Sequence, residues 1–186
     1  DGFVDGEGAT YGVTGTITDP GTAKNAFTYT LNEGTLAGNY DIKTVEGTLT
    51  INKVTKEIVI TANSADKTYD GQPLTDDGYT YTEGVLASGD VLTAVVEGTV
   101  TNVGTADNVV TSYKVMRGET DVTANYTFGE SVKGTLEVTK RSVTLTSADD
   151  SKTYDGTPLT NSTVTVSGDG FVDGEGATYG VTGTIT

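Results

Sequence analysis

The side chains with the clearest capacity for chemistry lie in an acidic stretch near the end of the chain, Asp-Gly-Phe-Val-Asp-Gly-Glu over residues 169–175. Carboxylates at its first and fifth positions, with glycine at the sixth, are typical of a calcium loop. However, Phe171 stands at the third position, where an oxygen ligand belongs, and Gly180 stands where a bidentate glutamate would close the site. The pattern therefore favours a solvated acidic turn. The candidates for calcium are Asp169, Asp173 and Glu175.

A second group of candidates lies in the sequence Lys-Thr-Tyr-Asp-Gly, which occurs at residues 67–71 and again at 152–156. Its composition predicts a strand that ends in a β-turn, with the tyrosine packed into a core and the glycine at positive φ. These structural residues are Tyr69, Asp70, Gly71, Tyr154, Asp155 and Gly156. The alternative is an isopeptide crosslink, in which a buried neutral lysine amine attacks an asparagine amide. Lys67 and Asn125 would form that pair.

Tyrosines supply the remaining candidate surface. Aromatic rings are useful for binding carbohydrate or protein, so four tyrosines in predicted strands could line a groove. They are Tyr79, Tyr81, Tyr113 and Tyr126. Alternating tyrosines in a strand are more often divided between core packing and cross-strand pairing, and the sequence leaves both readings open.

Composition excludes several functional classes. Cys, His and Trp are absent, so disulfides, thiolate metal sites and imidazole base catalysis are excluded. No Gly-x-Ser-x-Gly motif accompanies the serines, and we expect neither an enzyme nor a cofactor. The formal charge of −15 opposes binding to nucleic acid or to an anionic membrane. No apolar run is long enough for a membrane span, and we expect no membrane insertion.

Internal repetition is the strongest signal in the sequence. Residues 1–18 recur letter for letter at 169–186. Between them, KTYDGQPLT at 67–75 returns as KTYDGTPLT at 152–160, and GTLTINK at 47–53 returns as GTLEVTK at 134–140. These shifts resolve the chain into repeats of about 85 residues that alternate between two variants.

Boundaries placed after the GTL-x-[IV]-x-K strand divide the chain into three parts. Residues 54–140 form one complete repeat. Residues 1–53 form the C-terminal part of a preceding repeat, and residues 141–186 form the N-terminal part of a following one. The two partial repeats lack some of their partner strands, so either the spatial boundary differs from this one or partial repeats pair head to tail between chains.

Alternating apolar and polar residues predict an all-β fold of short strands separated by Asp-Gly and similar turns. The predicted strands of the complete repeat are 56–62, 79–85, 91–101, 108–115, 126–129 and 134–140. The partial repeats add strands at 47–53 and 142–146, and Asp121–Asn125 could form one helical turn. Seven or so such strands suggest a small β-sandwich or a β-grasp-like sheet. Connectors of about three residues predict modules arranged end to end as an elongated rod.

The order of these motifs resembles the MBG-type tandem repeats of Gram-positive bacterial cell-surface adhesins. The motifs are KTYDG-x-PLT, GT-[IV]-T-x-x-GT-A-x-N, NY-x-[IF] and GTL-x-[IV]-x-K, and they extend over the whole chain. The resemblance implies an extracellular, all-β module at the bacterial cell surface, attached to the cell wall through regions outside these residues.

Two functions follow as expectations. The first is a structural stalk or spacer that projects an adhesive domain from the cell wall. The alternative is a repeat that itself binds host glycan, mucin or protein. In both cases the immediate partners are neighbouring repeats of the same chain.

Overall fold

The computed structural model describes residues 2–185 and is almost entirely β, with 42% of residues in strands and 3% in helix. The all-β prediction is therefore confirmed at the level of fold class. The helical residues form two short 3₁₀ turns, Ala37–Asn39 and Thr123–Asn125. The second turn lies inside the segment for which a helical turn was predicted. None of the helices among the described residues is long and apolar enough to span a membrane.

Thirteen strands are found among the described residues. In chain order they are β1 Ala9–Val13, β2 Gly21–Asn25, β3 Phe27–Leu31, β4 Gly47–Ile51, β5 Ile60–Ala62, β6 Ala65–Thr68, β7 Tyr79–Tyr81, β8 Asp90–Glu97, β9 Gly104–Arg117, β10 Thr120–Asp121, β11 Gly134–Thr139, β12 Val143–Ser147 and β13 Val164–Gly168. β9 is longer than predicted because it pairs with three partners in turn, β11, β8 and β10. The predicted strand at 126–129 is instead a single bridge from Phe128 to Ile58.

Repeated sequences form the same strand pairs. β5 pairs with β7 in the register Ile60↔Tyr81, and β12 pairs with β13 in the matching register Leu145↔Val166. β2 pairs with β4 so that Asn25 faces Gly47, as Asn108 of β9 faces Gly134 of β11. An isolated bridge joins Leu74 to Val100 in one repeat and Leu159 to Ile185 in the next. The period read from the sequence is thus also the period of backbone pairing.

The chain folds into two compact units, and neither coincides with one of the three predicted parts. The first unit contains residues 2–58, 82–92 and 114–129, and the second contains 59–81, 93–113 and 130–185. Residues of the complete repeat therefore occur in both units, and strands β8 and β9 each have residues in both. The three-part division by sequence stays a prediction.

In the first unit, β1 pairs with β3, β2 pairs with β4, and β10 forms a hairpin with the end of β9. Ile58 is fully buried and exchanges backbone hydrogen bonds with the segment after the second 3₁₀ turn, donating to Thr127 and accepting from Gly129. Val115 and Val122 are buried in the same unit. Burial of such branched side chains supplies the main favourable term for folding.

In the second unit, β6 pairs in parallel with β11, and β11 pairs antiparallel with the start of β9. Inward-facing residues of β11 alternate with exposed ones, so that Leu136 and Val138 are at most 1% exposed. Ile60 of β5 is equally buried. This is the alternation expected of a sheet with one face on a core.

All the buried hydrophobic side chains among the described residues belong to positions 58–138. Some matching positions in the partial repeats are exposed: Leu145 is 47% exposed where Ile60 is 1%, and Val13 is 66% exposed where Val96 is 7%. Others, such as Leu49 and Ile51 at the positions of Leu136 and Val138, are half-buried. Because one sequence pattern gives such different burial, the core of a repeat depends on strands from both of its halves.

The two connectors between repeats differ in length. The connector between β11 and β12 is three residues, 140–142, which is longer than the single residue between the predicted strands 134–140 and 142–146. The connector between β4 and the bridge residue Ile58 is six residues, 52–57. It is longer than predicted because β4 ends at Ile51 and the first backbone pairing after it is the bridge at Ile58, before β5 begins at Ile60. Thr127 Oγ1 nevertheless bonds the carbonyl of Val54 at 3.0 Å, which ties this longer connector to the second 3₁₀ turn.

The asparagine at the end of GT-x-T-x-x-GT-A-x-N has a structural role in the complete repeat. Asn108 is fully buried, and its Nδ2 donates to the carbonyls of Asn63 at 2.9 Å and Asp76 at 2.8 Å. Two glycines near Asn108 lie very close to the backbone of other segments. A Cβ on Gly98 would come within 2.6 Å of the Asp107 carbonyl oxygen, and a Cβ on Gly134 would come within 1.9 Å of the Asn63 carbonyl oxygen. The glycines of the motif are therefore needed for close approach.

We expect Asn108→Ala to lower the free energy of unfolding by about 2–3 kcal/mol, because two buried hydrogen bonds are lost and a small void is left. Urea denaturation followed by far-ultraviolet circular dichroism measures the change. The matched control is Asn25→Ala at the same position of the first partial repeat, where the side chain is half-buried. Equal destabilisation by the two substitutions would contradict the assigned role of Asn108.

Candidate functional site

The KTYDG turn, defined as residues 67–71 and 152–156, is closed by its own lysine. Lys67 Nζ donates to Asp70 Oδ1 at 2.7 Å and to the Gln72 carbonyl at 2.7 Å. The same carboxylate accepts the Gln72 amide at 2.9 Å, and Gly71 has φ of +76°. The lysine holds the pKa of Asp70 below its usual range. A charged side chain, a turn and a glycine thus form one local unit.

The second copy of the turn repeats this geometry. Lys152 Nζ donates to Asp155 Oδ1 at 2.7 Å and to the Thr157 carbonyl at 2.8 Å. Gly156 has φ of +74°, so the predicted positive φ is confirmed in both copies. The predicted core position of the tyrosine is wrong. Tyr69 is only half-buried, with its hydroxyl donating to the exposed carboxylate of Glu175, and Tyr154 is 85% exposed.

The residues considered for an isopeptide bond have other partners. The Lys67 amine is surrounded by Asp70 and by the carbonyls of Gln72 and Pro73, which are acceptors for a charged ammonium. Asn125 Nδ2 donates to Asp19 Oδ1 at 2.8 Å. Lys67 belongs to the second compact unit and Asn125 to the first. These surroundings give no support to the crosslink, which stays a prediction.

Intact-protein mass spectrometry tests the crosslink directly. Because the Lys67 amine is held by a carboxylate and two carbonyls, we expect the measured mass to equal the sum of the residues, with no loss of ammonia. Lys67→Arg should behave in the same way and serves as the control. A deficit of one ammonia in the wild type that disappears in the variant would establish the bond.

The acidic loop, defined as residues 170–175 and their copy at 2–7, does not gather its carboxylates. Asp169 Oδ2 accepts the Ser142 amide at 3.2 Å, and Glu175 Oε1 accepts the hydroxyl of Tyr69 at 2.5 Å. Asp173 is exposed. Within residues 2–185, no three acidic side chains lie close enough together to hold a metal ion. Asp169 and Glu175 thus have structural partners, and the calcium site stays a prediction.

The acidic loop makes the join between the complete repeat and the last partial repeat. Arg141 bonds the carbonyls of Asp169 and Gly170 through its guanidinium. Val172 lies against Gly71, where a Cβ would come within 3.1 Å of its side chain. A cavity of about 270 Å³ between them is lined by Tyr69, Phe171 and neighbouring residues. The hydrogen bond to Glu175 raises the pKa of Tyr69.

A buried carboxylate organises the equivalent loop of the complete repeat. Asp90, whose side chain is fully buried, accepts Nε of Arg117 at 2.6 Å and Nη2 at 3.0 Å. Its Oδ2 also accepts the hydroxyl of Tyr126 at 2.5 Å, and that hydroxyl accepts the Ala87 amide at 2.9 Å. A two-pronged arginine contact with a carboxylate is among the stronger polar arrangements in proteins. The hydrogen bonds from Arg117 are the main cause that holds the pKa of Asp90 below its usual range. Burial acts in the opposite direction, and the hydrogen bond from Tyr126 lowers the pKa further.

This cluster reaches the first partial repeat through Asp19. Arg117 Nη1 lies 3.3 Å from Asp19 Oδ1, and Asn125 Nδ2 donates to the same oxygen. One carboxylate of the preceding repeat therefore contacts two side chains of the complete repeat. The sequence contained a signal for the carboxylate and the tyrosine of this site, since Asp90 aligns with Glu7 and Tyr126 aligns with Tyr40. It contained none for Arg117, which lies beside an insertion that the other variant lacks.

The four tyrosines do not share one surface. Tyr126 is 6% exposed and bonded to Asp90, so it agrees with the core-packing reading and does not line an open groove. Tyr79 and Tyr81 lie on β7 opposite Ala62 and Ile60. Tyr81 and Tyr113 are 36% and 40% exposed. A binding role for these three stays a prediction.

Comparison with models of protein families, with curated proteins and with solved structures gave no match. The geometry of the repeat joins is therefore the basis for a functional proposal.

The lowered pKa of Asp90 makes a testable contribution to stability. Since the folded-state pKa lies below the unfolded value of about 3.9, the contribution is present above that pH and is lost as the pH falls through the folded pKa. We expect Asp90→Asn to destabilise the protein at neutral pH and to approach wild-type stability as the pH falls below about 4. Asp173→Asn at an exposed position is the control. A pH-independent difference between wild type and Asp90→Asn would contradict the ionic role.

Proposed function

We propose that this chain is a structural spacer, a segment of a repeat array that holds a binding domain away from a bacterial cell wall. The observation that carries the proposal is the join between β11 and β12. Only residues 140–142 connect these strands, and Arg141 in the middle is bonded to two carbonyls of the acidic loop. A connector so short and so bonded has little freedom to act as a hinge.

The other join supports the same role by different contacts. Its connector is longer, but it is bonded at Val54 by Thr127, and Lys56 Nζ donates to the Glu83 carbonyl at 3.3 Å. Asp19 adds the ion pair with Arg117 and the bond from Asn125. Polar contacts at a join fix orientation more than they add binding energy. A spacer requires joins whose orientation is fixed.

Surface chemistry also supports a spacer. The net charge of −15 makes neighbouring arrays repel one another, which keeps crowded copies apart. We further propose an extracellular location, no catalytic role and kinship with MBG-type adhesin repeats, on the motifs quoted above.

Head-to-tail pairing of partial repeats between copies belongs to the same proposal. Apolar positions such as Leu145 are exposed in the partial repeats and buried in the complete one. A second copy could supply the missing strands, because exposed strand edges and apolar faces favour association.

Small-angle X-ray scattering tests the spacer role. A compact chain of this length would have a radius of gyration of about 16 Å, and we expect a clearly larger value with a distance distribution skewed to long vectors. The measurement should be made over a series of concentrations, so that any pairing between copies is separated from the shape of one copy. A radius near the compact value would contradict the proposal.

The exposure of Tyr81 and Tyr113 favours a second candidate, direct binding of host glycan, mucin or protein. A glycan-array signal that Tyr81→Ala abolishes, and that Tyr11→Ala on another strand leaves intact, would favour this function over the spacer.

A further inference from the structure

Two copies of one acidic loop bond two different tyrosines. In the first partial repeat, Glu7 Oε2 accepts the hydroxyl of Tyr40, which belongs to the same repeat. In the last partial repeat, the identical loop offers Glu175, whose Oε1 accepts the hydroxyl of Tyr69 from the repeat before it. The contacts differ, although residues 2–18 and 170–186 have the same sequence.

One carboxylate has the capacity for both bonds. An ionised glutamate presents two oxygens with about four lone-pair sites between them, so two phenol hydroxyls can donate to it at once. Phe3 also packs edge-on against Tyr40 with ring centroids 4.9 Å apart, and Phe171 lines the same cavity as Tyr69. In both copies the phenylalanine of the loop therefore lies in the surroundings of the bonded tyrosine.

The complete repeat lacks this capacity because Asp90 is buried and already accepts three hydrogen bonds. Nε of Arg117 donates to one oxygen, while Nη2 of Arg117 and the Tyr126 hydroxyl donate to the other. The side chain of Asp90 is fully buried, which leaves no surface for another ring. Where Glu175 bonds a tyrosine from a neighbouring repeat, Asp90 thus bonds an arginine and a tyrosine from its own repeat.

We propose that the acidic loop is a docking surface for the KTYDG turn of the preceding repeat, and that its glutamate is shared between that turn and the tyrosine of its own repeat. The partner is a neighbouring repeat of the Asp90-containing variant. The reverse join uses Asp19, Arg117 and Asn125 instead, so the two variants are not interchangeable along the array. This inference rests on the proposed repeat array and adds the chemistry of its joins.

The experiment uses a chain in which residues 1–168 are followed directly by residues 1–186. Residue 1 of the second copy then takes the place of residue 169 of the first copy. The acidic loop after this junction therefore belongs to a repeat that also contains Tyr40. The chain is digested with a limiting amount of trypsin, and the masses of the intact fragments are measured. Cleavage after Arg141 of the first copy is identified by the N-terminal fragment that this cleavage releases. Cleavage there reports opening of the join, since the Arg141 guanidinium is bonded to the loop.

We expect Tyr69→Phe in the first copy to speed this cleavage roughly three- to tenfold, because a hydrogen bond to a charged group is lost and the ring is kept. Tyr40→Phe in the second copy should also speed it. The matched control is Tyr154→Phe in the first copy, which changes the same position of the other KTYDG turn, faces a repeat containing Asp90, and should leave the rate unchanged.

Two outcomes would overturn the proposal. An unchanged rate for Tyr69→Phe would mean that Tyr40 displaces Tyr69 when both are present. Equal acceleration by Tyr69→Phe and Tyr154→Phe would mean that the effect does not depend on the acidic loop. Neither outcome changes the scattering expected of a spacer, so failure here is distinguishable from failure of the proposed function.

Discussion

The structure around the repeat joins depends on one recurring hydrogen-bond acceptor, a carboxylate at an equivalent sequence position of each repeat. It is Glu7, Asp90 or Glu175 according to the repeat, and in each case a tyrosine hydroxyl donates to it. A carboxylate at a fixed site must be satisfied by donors of good geometry, and the donors in turn fix the loops that carry them. The chemistry of the joins follows from which donors are within reach.

The two variants satisfy this acceptor in opposite ways. Asp90 is buried, and desolvation of a carboxylate is costly unless charged or multiple donors compensate for it. Arg117 and Tyr126 provide that compensation from within the repeat. Glu175 is exposed, so its bond to Tyr69 is weaker but open to a neighbour. Burial therefore distinguishes a carboxylate that holds one repeat together from one that contacts the preceding repeat.

Sequence reasoning predicted the features that depend on local or periodic patterns. The all-β class, the repeat, the 3₁₀ turn before Tyr126 and the positive φ of Gly71 all follow from alternation, identity and glycine chemistry. It placed Tyr69 in a core, which is wrong, and for Tyr126 it left core packing and a binding groove open, of which the structure agrees with core packing. The position of a tyrosine ring depends on whether a carboxylate distant in sequence is available to its hydroxyl, and Glu175 and Asp90 lie 106 and 36 positions away.

Burial explains why such joins would matter to a repeat of this size. The buried hydrophobic residues among those described lie within positions 58–138, and a domain of roughly 85 residues has only a modest surplus of burial over chain entropy. The contacts at both joins are polar or small, so they add little to that surplus. In the proposed spacer their value is in orientation, since bonds at each join hold its connector. On that proposal the cores supply stability and the carboxylates supply direction, so the array can be lengthened by duplication, because each added pair of variants carries both kinds of join.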